Sequence, residues 1–101
     1  NLPYKVSEPN VFILGSNVEM DALILNKDAK SIMNSGIYNP EDVVAMLEFK
    51  SNGIYSHQNN PFNKFIDTCK HFYKQLKDNK ISVAAYITIS EVADVFSSNN
   101  K

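Results

Sequence analysis

A chain of 101 residues with 44% hydrophobic and 21% charged side chains suffices for one globular domain, 1–101, with its own core and no disulfide or metal staple. The net charge of −1 and the absence of arginine among ten basic residues count against a sequence-independent polyanion binder and against base readout through bidentate arginine. A single cysteine, Cys69, no apolar run near the roughly 18 residues of a membrane span, and no signal-peptide pattern lead to the expectation of a cytoplasmic protein without a membrane segment.

Residues 10–14, Asn10-Val11-Phe12-Ile13-Leu14, read as a first strand ended by the turn triplet Gly15-Ser16-Asn17. A second strand over 19–25 follows, so the two are expected to form a hairpin. Residues 26–42 are polar, carry Asn34-Ser35-Gly36 and Asn39-Pro40, and read as a long loop with one short helical turn. The third strand is the apolar, β-branched run 43–50, ended by Ser51-Asn52-Gly53.

After a polar connection at 57–60, Asn60-Pro61 supplies an N-cap and a first-turn proline. Phe62, Phe65, Ile66, Cys69, Phe72, Tyr73 and Leu76 then fall on one helical stripe, which predicts an amphipathic helix buried against a sheet. Asp78-Asn79 closes it, 81–89 reads as a fourth strand, 91–96 as a last helical turn, and 97–101 as a frayed end. The order β-β-β-α-β predicts an α/β domain with a mixed central sheet of about four strands, the third and fourth parallel across the helical crossover.

Acidic side chains interrupt two of these strands. Asp21 lies in Val18-Glu19-Met20-Asp21-Ala22-Leu23-Ile24-Leu25, and Glu48 and Lys50 lie in Val43-Val44-Ala45-Met46-Leu47-Glu48-Phe49-Lys50. Alternation along a strand puts Glu48 and Lys50 on one face. If the strands are neighbours, Asp21 joins them, and charge at the edge of a core must pair or hold a metal. Glu19 shares the strand face of Asp21 and reads first as a solvent-exposed residue.

The set Glu19-Met20-Asp21 with Leu23 and Ile24, then Pro40-Glu41-Asp42-Val43-Val44-Ala45-Met46-Leu47-Glu48-Phe49-Lys50-Ser51, then the helix and last strand, resembles the PD-(D/E)xK nuclease superfamily. The resemblance spans most of 11–90 and implies a restriction-endonuclease-like core. It further implies an Mg²⁺-dependent (or Mn²⁺-dependent) endonuclease that hydrolyses DNA phosphodiester bonds. By the same resemblance Asp21, Glu48 and the backbone carbonyl of Phe49 would hold the metal, and Lys50 would act on the attacking water and the transition state. Many members carry an acidic residue in a helix before the first strand; here Glu8 is the only upstream acid, so either that helix was cut off or this member lacks it. The expected partner is DNA, in a homodimer or a larger multidomain setting.

Two other readings stand beside it. One is a catalytically inactive relative of the same fold that binds nucleic acid or protein; the other is an unrelated α/β domain whose charged triad is a surface ion cluster. His57 and His71 lack partners at zinc-ligand spacing. Cys69 reads as a small core residue, and Lys64, Lys70, Lys74 and Lys77 as a solvated helix face.

Overall fold

The computed structural model describes residues 2–50 and 61–88. The run Val43–Lys50, six of whose eight residues are apolar, forms the central strand β5. On one side it pairs antiparallel with β3 (Ala22–Asn26), which in turn pairs antiparallel with β1 (Tyr4–Val6); on the other it pairs parallel with β6 (Val83–Thr88). Among the described residues the protein is thus a small α/β domain with a mixed four-stranded sheet, β1-β3-β5-β6, and one helix, α1 (Pro61–Gln75). The parallel pairing of β5 with β6 needs a crossover, and α1 lies in it. Ile24 pairs with Ala45 but Leu25 with Val43, so β5 carries Val44 as an extra residue in a bulge.

The first sheet strand is not the expected one. Tyr4–Val6 takes that edge, while Phe12–Ile13 (β2) pairs in parallel with Ile37–Tyr38 (β4) in a separate two-stranded sheet. The expected hairpin is reduced to a single bridge, in which Val11 and Met20 exchange backbone hydrogen bonds of 2.9 Å. The strand does not extend from there because the Phe12 and Leu14 N–H groups turn to the Gly36 and Tyr38 carbonyls instead, at 2.9 and 2.8 Å. The loop 26–42 accordingly contains β4 between two short 3₁₀ turns, Ile32–Asn34 and Pro40–Asp42.

The turn at Gly15-Ser16-Asn17 is present and is tied to the helix. Gly15 has φ +97, and a Cβ there would come within 3.1 Å of Leu76. The Gln75 side chain accepts from Ser16 Oγ at 2.6 Å and the Asn17 N–H at 3.1 Å, and donates to Asn17 Oδ1 at 2.8 Å. Beyond the helix, Asn79 donates to the Leu76 carbonyl and accepts the Ile81 N–H at 2.8 Å, which turns the chain into β6.

Between helix and sheet sits the core: Val11, Ile13, Met20, Leu23, Leu25, Met46, Phe72 and Ile81 are all buried. Phe65 and Phe72 anchor the helical stripe, and Ile66, Cys69, Tyr73 and Leu76 are half-buried. Phe62 departs from the expected burial and is 43% exposed, at the first turn of α1 against Tyr86 of β6, which is an edge strand among the described residues. Among the described residues no helix is long and apolar enough to cross a membrane. The expected stop at Ser51-Asn52-Gly53, the connection 57–60 with the Asn60 cap, and the turn 91–96 with the tail 97–101 lie outside the described residues.

Candidate acidic site

Leu23 and Leu25 of β3 and Met46 of β5 belong to the core beneath α1. Alternation then carries Asp21, Glu48 and Lys50 to that same helix-facing side, at the end of the sheet where the core runs out. Asp21 stands one residue before β3. Ala22 pairs with Leu47, so Asp21 is set opposite Glu48 across the antiparallel pair. Both side chains are half-buried, and so is Lys50.

The two carboxyls are within hydrogen-bonding distance, with the protonated Glu48 donating to Asp21. Burial, then the hydrogen bond and negative charge of Asp21, push the Glu48 pKa up to about 7, against a weaker opposite pull from Lys50. Asp21 is held below its usual carboxylate range, chiefly by that bond from Glu48. The Phe49 N–H, which donates to Asp21 Oδ2 at 2.8 Å, and the Lys50 charge add to this against the cost of burial. Beyond the end of β3, it is the Asp21 side chain that accepts the Phe49 N–H. The carbonyl and N–H of a strand residue point to the same neighbour, so the Phe49 carbonyl is directed to the Asp21 side as well.

Two carboxyl groups one hydrogen bond apart, with the Phe49 carbonyl directed to the same side of the strand, are oxygen donors of the kind a hard divalent cation takes. A pair of acids that retains a proton near neutrality has negative charge that a cation would meet in the proton's place. Among the described residues no group of three or more His, Cys, Asp or Glu side chains gathers. Glu19 is exposed and lines, with Asp67 and His71, a shallow pocket whose lining includes neither Asp21 nor Glu48. Glu8, the only upstream acid, accepts a hydrogen bond from the Tyr38 hydroxyl. That contact and burial raise the Tyr38 pKa to about 12, burial contributing most.

Two neighbours of Glu48, Cys69 and Tyr86, are not legible in the sequence as such. Cys69 is half-buried rather than a core residue, and its thiol pKa is raised by burial and by the charge of Glu48. Tyr86 is the register partner of Glu48 on β6. Phe62 and Phe65 meet the Tyr86 ring at centroid distances of 5.5 and 5.7 Å. The helical periodicity of α1 carried half of this signal; the register of a parallel pair across a crossover is not written locally. His71, Lys64, Lys70, Lys74 and Lys77 are exposed, and His57 lies outside the described residues. Comparison of the chain with protein families, with curated proteins and with solved structures gave no match.

Proposed function

We propose that this chain is a metal-dependent nuclease domain of the restriction-endonuclease-like kind that hydrolyses DNA phosphodiester bonds. The observation that carries the reading is the meeting of Asp21 and Glu48 from adjacent antiparallel strands, with Lys50 on the same strand face. The antiparallel β3–β5 pair, the crossover helix and the parallel β6 supply the setting in which the resemblance expects that triad.

In this reading Asp21, Glu48 and the Phe49 carbonyl hold Mg²⁺ or Mn²⁺. The bound cation would supply charge to the scissile phosphate and acidify a water. The Phe49 N–H fixes the Asp21 carboxylate so that its free lone pairs are presented rather than mobile. Lys50, two residues beyond Glu48, orients the attacking water and offsets the charge that grows on the phosphate oxygens in the transition state. Half-burial against α1 lowers the local dielectric and strengthens each of these interactions.

A second reading rests on a different observation. With Glu8 bonded to Tyr38 and Glu19 exposed, the described residues provide two carboxylates and no third, which suits a relative that binds without cutting. A nicking assay on plasmid DNA with Mg²⁺, run beside calorimetry, decides between them. The nuclease reading expects cleavage that Asp21→Asn and Glu48→Gln abolish through the metal site, and that Lys50→Ala slows with little change in metal affinity. Metal binding without cleavage of any DNA or RNA leaves the binding module, and no metal binding leaves an ion cluster.

A further inference from the structure

Beside the acidic pair, α1 and β6 enclose an open groove of about 440 Å³, lined by Phe62, Phe65, Cys69, Tyr73, Ala84 and Tyr86 with Lys70 at its margin. Its volume is in the range of about 300–1,000 Å³ that small-molecule pockets occupy. Two features keep it open. Ala84 projects only a methyl group into the floor, and Cys69 leaves the helix wall thin between the larger Phe65 and Tyr73.

The groove is continuous with the candidate site. Glu48 and Tyr86 are register partners on the parallel strands β5 and β6, so both side chains leave the sheet on the helix face side by side. Cys69, in the groove wall, feels the Glu48 charge. The aromatic rings are held rather than loose: Phe62 meets Tyr86 edge-on at 83°, Phe65 is tilted at 47° to it, and the Tyr73 hydroxyl donates to the Ile81 carbonyl at 2.7 Å. Phe62 nonetheless leaves 43% of its surface to solvent.

The occupant must combine a flat apolar body with negative charge, because the walls are aromatic, Lys70 lines the groove, and Lys50 shares with Glu48 the helix-facing side of β5. An unpaired nucleobase with its phosphate has that chemistry, and a base inside a duplex cannot present its face to a groove wall. The geometry points to a base-binding groove in which one unstacked base of a single-stranded nucleic acid lies against Phe62 and Tyr86, its phosphate directed to Asp21, Glu48 and Lys50. This rests on the nuclease reading for the position of the phosphate.

The test is a titration of the full chain with a short single-stranded DNA carrying a fluorescent adenine analogue, in Ca²⁺ to suppress cutting. Stacking on the rings is expected to quench the analogue. Phe62→Ala, which removes a wall, and Ala84→Leu, which fills the floor, should each weaken strand binding about tenfold while keeping the far-ultraviolet circular dichroism of the parent. A duplex of the same sequence should bind more weakly and respond to neither substitution. Duplex binding as tight as strand binding, or parental strand affinity in both folded variants, overturns the groove. Cleavage that survives such a result leaves the nuclease reading standing without it. Strand binding that obeys these expectations in a chain that cuts nothing keeps the groove and removes the nuclease reading.

Discussion

Replacing Glu48 with Gln should change how stability depends on pH more than it changes the fold. The Glu48 carboxyl titrates near its ordinary 4.5 in the unfolded chain and near 7 in the folded one. Between those values the folded state keeps a proton that the unfolded chain has released. The stabilising contribution is therefore complete below about pH 4.5 and is lost as pH rises through about 7. Asp21 acts in the opposite sense. Its lowered pKa gives a contribution that is present above its unfolded value of 3.8 and is lost only in more acidic solution.

Across about pH 5 to 8, Glu48 alone of the pair thus sets the slope. The rise from 4.5 to about 7 corresponds to a ceiling of about 3.4 kcal/mol, and since Glu48 is only half-buried, solvent screening brings the expected change to about 1–2 kcal/mol. Gln keeps a donor for Asp21 without the titrating proton. Urea unfolding followed by circular dichroism, which suits a chain without tryptophan, should show the parent losing about 1–2 kcal/mol more than Glu48→Gln over this range. Parallel curves for the two proteins would refute the meeting of the carboxyls.

Phe72 is 1% exposed at the centre of the core, so Phe72→Ala should cost about 3–5 kcal/mol in urea unfolding; a loss below about 1 kcal/mol would mean that α1 does not pack on the sheet as described. Gly15→Ala must adopt φ near +97 and push against Leu76, and a loss of about 1–2 kcal/mol by the same assay is expected. In the nicking assay Ca²⁺ should support DNA binding but little cleavage, because its larger and looser coordination shell positions water poorly beside Asp21 and Glu48.

What the sequence disclosed follows from where burial leaves a local trace. β5 is legible because six of its eight residues are apolar, around Glu48 and Lys50, and α1 because Phe65, Ile66, Cys69, Phe72, Tyr73 and Leu76 repeat at helical spacing. β1 left no such trace: Tyr4, Lys5 and Val6 are all exposed on an edge strand, and edge residues need no apolar alternation. β2 and β4 are two residues each and pair across 24 intervening positions, so neither contains a period to read. Asp21 and Glu48 stood out as charges inside apolar strands, which is a local signal. The aromatic wall around Tyr86 depends on the β5–β6 register, which is fixed by how α1 seats on the sheet.

The most direct test of the account is a crystal of the protein soaked in Mn²⁺ and measured for anomalous scattering. One manganese is expected between the Asp21 and Glu48 carboxylates, with the Phe49 carbonyl turned toward it and Lys50 close by. Well-ordered Asp21 and Glu48 side chains with no manganese between them, or directed to opposite faces of the sheet, would contradict it.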